Sequence, residues 1–241
     1  MGKKRIIMRD DSKTIDFYHD ILDMDTHFIE SSEKRLKMVI ELKGADFKTV
    51  PSCFSGVSQN YFHRFYLNYT IGKSYEELLP DVIKYIENGL KGCNGNVYGD
   101  LESIIYASII FNLSDYTVPI KNCILSSHNY QDYYMEVLYQ FIDDSYTITT
   151  EKLFWPKECK PLLDVIQLAK INKESAVKKL KHFLDKQWFN TLHDGLISQE
   201  GCYRGFWCLE AAALVKALKL DDTELKECKY YPYDMAHFCD K

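Results

Sequence analysis

Residues 11–42, "DSKTIDFYHDILDMDTHFIESSEKRLKMVIEL", set the fold class. Phe17, Ile21, Met24 and Phe28 recur at steps of four, three and four, with Tyr18, Leu22 and Ile29 beside them. Side chains three and four apart lie above one another on a helix, so this rhythm gathers the apolar groups onto one face. Asp16, Asp20, Asp23, His27 and Glu30 keep the same rhythm on a neighbouring face. The stretch therefore predicts one long amphipathic helix with its carboxylates in water.

Working outward, "KGADFKTVPSCFSG" (43–56) interrupts the pattern with Gly, Pro and Ser and reads as a loop. "VSQNYFHRFYLNYTI" (57–71) suits a second helix rich in aromatics. Ser74 followed by Glu77 forms a capping box, which opens a helix to about Leu90. Further helices are expected at 97–113, 116–126 and 129–142. "DDSYTITTEKLFWP" (143–156) has a β-branched run, loses helical periodicity and closes on Pro156, so a boundary falls there. Beyond it, 156–170, 173–190 and 205–219 read as helices, and Pro232 fits the start of a short terminal one. The expected fold is an all-α bundle with at most a minor extended segment near 145–150. The expected domains are 1–145 and 146–241, packed as one compact unit.

Composition agrees. The 241 residues are 46% hydrophobic and 27% charged, the balance of a globular chain, and 11 Gly with 6 Pro are few enough to favour helices. "MGKKRIIMRD" lacks the apolar core of a secretory signal, and "SIIYASIIFNL" (103–113) is too short to cross a bilayer. The eight cysteines contain no C-x-x-C, so reduced thiols in a cytoplasmic protein are expected. The net charge of −5 is uneven. Residues 1–150 hold 15 basic and 21 acidic side chains, whereas 151–241 hold 15 and 14. Within 10–33, eight acids face Lys13 alone. Such a face repels phosphate backbones, which disfavours direct nucleic-acid binding and favours a basic protein partner.

Catalytic patterns are scarce. There is no G-x-S-x-G, no H-E-x-x-H and no Gly-rich phosphate loop. The pairs Asp16/His19 and Asp234/His237 share helix faces, but no matching acids stand on two further helices to complete a dimetal site. His193-Asp194, with His182 before and Asp221 after, gives an alternative reading as a helical metal-dependent phosphohydrolase of the HD type. Against it, His182 is only eleven residues upstream and a glycine loop follows at once. No catalytic residue, cofactor or metal ligand is assigned.

"GFWCLEAAALVKAL" (205–218) places Glu210 in an apolar helical stretch, four residues after Phe206, three after Trp207 and four before Leu214. A buried carboxylate without partners costs several kcal/mol or takes up a proton. Hydroxyls of Tyr203, Tyr231 or Tyr233, or amides at the loop–helix junction, would satisfy it. The expected role is a structural lock.

The surrounding stretch, "WFNTLHDGLISQEGCYRGFWCLEAAALVKALKLDDTELKECKYYPYDM" (188–235), resembles the C-terminal domain of PoNi, the polymorphic-nuclease immunity proteins of bacteria. The resemblance rests on Trp188-Phe189, Tyr203-x-Gly205-Phe206-Trp207, Glu210 followed by three alanines, Asp221-Asp222 and Tyr231-Pro232. Phe189 and Phe206 stand where the family pattern has tyrosines. The resemblance implies a cytoplasmic immunity protein that binds a cognate secreted toxin, commonly a nuclease, and performs no reaction itself. Occlusion of the toxin by an acidic surface is then the expected mechanism. Three surfaces are candidates: Asp16, Asp20, Asp23 and Glu30 on the first helix; Asp132, Glu136, Asp143 and Asp144; and the loop 195–205 with Gln199, Glu200 and Tyr203. Trp188, Gly205, Trp207, Glu210, Tyr231 and Pro232 are expected to be structural.

Overall fold

Thr14 opens the first helix, α1 (Ile15–Lys43), by accepting the Phe17 N–H at 3.2 Å. In the computed structural model, which describes residues 8–93, 98–127, 129–188 and 203–239, α1 is followed by α2 (Val50–Thr70) and α3 (Tyr75–Gly92). The face that α1 buries is rotated from the expected one. Tyr18, Ile21, Asp25, Ile29 and Leu36 are buried, whereas Phe28 is 50% exposed. Both faces carry apolar residues at helical spacing, and the choice between them is made by α2. There Tyr61 donates to Glu33 at 2.8 Å and Asn60 donates to the Phe28 carbonyl at 3.2 Å.

α2 begins at Val50, inside the stretch expected to be a loop. Pro51 sits in its first turn, where a missing N–H costs nothing. The predicted capping box at Ser74 and Glu77 is present, with the Ser74 N–H donating to Glu77 Oε2 at 2.9 Å. α2 and α3 approach closely at Gly92, where a Cβ would lie 2.7 Å from the Ser55 nitrogen. They are fastened by Arg64, which forks onto buried Asp81 through Nε (3.1 and 3.2 Å) and NH2 (2.5 Å), while Asn68 adds a bond at 3.0 Å. Such a pair needs further hydrogen bonds to offset desolvation, and both oxygens of Asp81 accept at least two contacts.

The remaining helices are α4 (Tyr98–Phe111), α5 (Thr117–Ser126), α6 (Tyr133–Tyr139), α7 (Pro156–Ala169), α8 (Lys173–Phe183), α9 (Leu209–Leu218) and α10 (Tyr233–Ala236). Among the described residues there is no strand, and residues 147–153 run without regular structure. α6 is shorter than the predicted 129–142. α8 stops at Phe183 and continues as a wider turn to Trp188. α9 starts at Leu209, so Phe206 and Trp207 precede the helix rather than forming its first turn.

By contact density the chain divides into two compact units, Met1–Cys93 with Leu196–Gly205, and Asn94–Gly195 with Phe206–Lys241. The division falls between Cys93 and Asn94, and α4 packs on α9 within the second unit. The first unit is centred on buried Tyr18, Val57, Phe65, Leu78, Val82 and Ile86, and the second on Ile104, Ile105, Tyr134, Leu138, Val165 and Leu214. Seven cysteines among the described residues are free thiols.

Candidate partner-docking surface

On α1, Asp16, Asp20, Asp23 and Glu30 are all exposed. Their exposure follows from the packing just described: α1 rests on the first unit through Tyr18, Ile21, Ile29 and Leu36 and turns another face to water. Asp16, Asp20 and Asp23 form no ion pair with any described residue, so their charge stays available. His27 Nδ1 lies 3.7 Å from Glu30 Oε2, a surface pair of small energetic weight.

The second candidate surface is corrected by the structure. Asp132 and Glu136 are fully buried. Asp132 caps α6, its Oδ1 accepting the N–H groups of Tyr134 (2.9 Å) and Met135 (3.3 Å), while Oδ2 accepts that of Phe154 (2.5 Å). Glu136 accepts the Thr149 N–H (2.5 Å) and hydroxyl (2.6 Å). These acids fasten the irregular segment onto α6 and cannot face a partner. An Asp directly before a helix is the ordinary N-cap signal, which an argument from charge alone overlooks. Asp143 is half-buried and tied to Ser145, whose hydroxyl holds its carboxyl below the usual range; Asp144 is exposed.

The third candidate turns inward where it is described; Gln199 and Glu200 lie outside the described residues. Tyr203 is half-buried and donates to Asp10 Oδ2 at 2.5 Å, and burial followed by that carboxylate pushes its phenol well above its ordinary value. Beside it, Arg204 binds Asp25 through Nε (2.9 Å) and through NH2, and its carbonyl accepts the Thr70 hydroxyl at 2.6 Å. Asp25 is 1% exposed. Burial and then the Arg204 charge lower His63 to about 4. Gly205 follows with φ 101, a backbone state that glycine adopts without strain. Sequence reasoning missed Asp25 and Arg204. The only signal is that Asp25 falls on the face shared by Tyr18, Ile21 and Ile29.

In the second unit, Trp188 donates to the Phe206 carbonyl at 2.7 Å, Trp207 is buried, and the Cys208 N–H reaches the Tyr230 carbonyl at 2.9 Å. Tyr231 donates to buried Asp222 at 2.5 Å, with His237 3.0 Å from the same oxygen, and buried Pro232 precedes α10. Two of the expected tyrosine partners of Glu210, Tyr203 and Tyr231, are thus engaged elsewhere. Glu210 sits in the first turn of α9 and accepts from the Cys208 thiol at 3.5 Å. Part of the residue stays accessible, yet its carboxyl is densely surrounded; burial and then Glu102 push it up to about 8. Burial likewise raises Glu102 to about 7. Tyr106 donates to Glu102 at 2.7 Å and meets the Tyr134 hydroxyl at 2.8 Å. At neutral pH Glu210 is therefore largely protonated, a state suited to packing.

An open cleft of about 670 Å³ in the same unit is lined by Ser108, Asn112, Phe141, Val215, Lys216 and Leu220, and Lys216 donates to the carbonyls of Ile110 and Phe238. Of the hydrolase candidates, His182 is exposed, Asp221 is exposed and bonded to Thr223, and His193 and Asp194 lie outside the described residues. Among the described residues no group of three or more His, Cys, Asp or Glu could hold a metal ion. No described helix is long and apolar enough to cross a membrane.

Comparison with known proteins finds a family match over part of the chain. The family model for PoNe immunity proteins (PoNi), C-terminal, matches residues 130–235. No curated protein sequence matches. Among solved structures, protein PA2201 from Pseudomonas aeruginosa superposes with a TM-score of 0.72 at 11% identity, covering 98% of this chain and 91% of that one. At that identity the likeness concerns the fold.

Proposed function

The chain belongs, through residues 130–235, to the PoNe immunity protein family, and from that premise we propose that it binds a cognate secreted nuclease toxin inside the producing cell and occludes the toxin's nucleic-acid groove. The carrying observation is the unpaired, exposed carboxylate stripe Asp16, Asp20, Asp23 on α1, extended by Glu30. An enzyme that grips phosphates presents Lys and Arg, and a fixed row of carboxylates on a rigid helix competes for those side chains. It also speeds encounter, because opposite fields raise association rates by about 10- to 1,000-fold. On this reading the protein acts stoichiometrically, touches no nucleic acid directly and needs no cofactor.

The test is the triple change Asp16→Lys, Asp20→Lys, Asp23→Lys, assayed by toxin neutralisation and by association kinetics with purified toxin at two salt concentrations. All three sites are exposed, so the circular dichroism spectrum stays that of the wild type. The association rate falls by at least about tenfold, and neutralisation is lost. Full protection by the folded triple variant would rule out this surface.

A further inference from the structure

α1 carries a second pattern that its packing leaves open except at Met24, which also rests on the cluster of Tyr18, Ile21, Leu67 and Ile71. Met24, Phe28, Ser31, Arg35, Met38 and Leu42 follow one another at steps of four, three, four, three and four. At 100° per residue they fall within an arc of about 80°. Steps of this kind form the seam of a coiled coil. The large apolar members are open to water: Phe28 is 50% exposed, Met38 47% and Leu42 71%. Three such side chains aligned on one helix differ from apolar groups scattered singly over a surface, which need no explanation.

We propose that this seam pairs with a second copy of the chain, α1 against α1, in antiparallel orientation. Two features select this occupant. The seam is its own complement, because Met24 with Leu42, Phe28 with Met38, and Ser31 with Arg35 are each centred on position 33. A two-fold axis there brings Phe28 onto the partner's Met38 and Met24 onto the partner's Leu42, as an isologous contact requires. The charge on the helix is also divided. Residues 10–33 hold eight acids and Lys13, whereas 34–48 hold five basic residues against Glu41 and Asp46. Antiparallel pairing about position 33 overlaps residues 23–43 of α1 and sets Glu30 near the partner's Lys34 and the partner's Lys37. Parallel pairing sets acid on acid. Asp16 and Asp20 lie beyond the paired stretch and Asp23 at its edge, so the pairing goes beyond the proposed toxin contact and shares only Glu30 with it.

The experiment uses the full chain, with sedimentation velocity over a concentration series into the high-micromolar range. The expected result is a monomer–dimer equilibrium with a dimer of twice 28.3 kDa. Phe28→Glu with Leu42→Glu weakens dimerisation by at least about tenfold, since carboxylates would be buried unpaired in the seam. Leu42→Glu alone, at the most exposed seam position, serves if the double variant loses its helical spectrum. Orientation is read by disulfide trapping in a Cys239→Ser background. Phe28→Cys chains mixed with Met38→Cys chains cross-link. Phe28→Cys chains alone do not, because two copies of position 28 stand about 15 Å apart along the axis, beyond disulfide reach. A monomer at every concentration, a dimer unaffected by the glutamates, or cross-linking of Phe28→Cys alone would each overturn the proposal. So would a monomeric wild type whose seam variant fails to bind toxin, since the seam would then belong to the toxin. Charge reversal of Asp16, Asp20 and Asp23 tests the toxin contact separately.

Discussion

Replacing Arg204 by alanine should cost the fold more than any change at an exposed ion pair. Asp25 is almost fully sealed, and the Arg204 side chain keeps 13% of its surface in water. Two guanidinium nitrogens hold the two carboxylate oxygens. Removing the cation leaves a sealed anion without a counter-charge, and breaking such a pair costs about 3–5 kcal/mol. For a chain of this size each kcal/mol moves the melting temperature by about 2–4 °C, so the midpoint should fall by roughly 6–20 °C. Asp25→Asn in the Arg204→Ala background should recover part of the loss, because the amide carries no charge to strand. Losing Arg204 also removes one of the causes that hold His63 near 4, so its titration midpoint should move upward. The control is Lys181→Ala, whose pair with Asp185 is 42% and 40% exposed and worth at most about 1 kcal/mol. The assays are thermal melts followed by circular dichroism and proton NMR titration of His63. If Arg204→Ala melts like the control, or Asp25→Asn returns nothing, the pair does not carry the weight assigned to it.

Two further outcomes concern the second unit. Glu210 and Glu102 release their protons near 8 and 7 in the folded chain, above the ordinary 4.5. Between those values the folded state holds more protons than the unfolded one, so their contribution is complete below about pH 4.5 and is lost as pH rises through 7 and 8. Glu210→Gln cannot ionise and should flatten the alkaline decline of the urea midpoint; curves that run parallel from pH 5 to 9 would count against a protonated Glu210. Asp132→Ala removes a helix cap and the acceptor of the Phe154 amide, a loss of roughly 2–4 kcal/mol, with faster hydrogen exchange at Phe154 as its local signature. Unchanged exchange there would mean that the segment before α7 is held by something else.

The element boundaries that rest on local chemistry were readable from the sequence. The capping box at Ser74 and Glu77 and the proline opening of α7 depend on neighbours within a turn, and both stand where expected. Choices that depend on distant residues were not readable. Phe17, Ile21, Met24 and Phe28 match a helix face as well as Tyr18, Ile21, Asp25 and Ile29 do. What decides between them is α2 and Arg204, 179 residues away from Asp25. Charge was equally ambiguous. Asp16 and Asp132 are both acids near a helix start, yet one stands in water and the other is enclosed by the amides of Tyr134, Met135 and Phe154. Glu210 was legible as an anomaly, but its neighbours Glu102, Tyr106 and Tyr134 arrive from α4 and α6, which no local pattern connects to α9.

The membership of Leu196–Gly205 in the first compact unit bears on the order of events during synthesis. Helices α1 to α3 leave the ribosome long before residue 204 has been made. At about 5–20 residues per second the interval from Cys93 to Arg204 lasts roughly 6–22 s. Throughout it the Asp25 carboxylate lacks the Arg204 guanidinium that holds it in the finished unit. The nascent amino-terminal third must either keep that anion in water, leaving the α1 interior face ajar, or hold it as the neutral acid. Completion of that unit is thereby deferred until residue 204 has been made, which ties its final closure to the synthesis of a segment far downstream of its three helices.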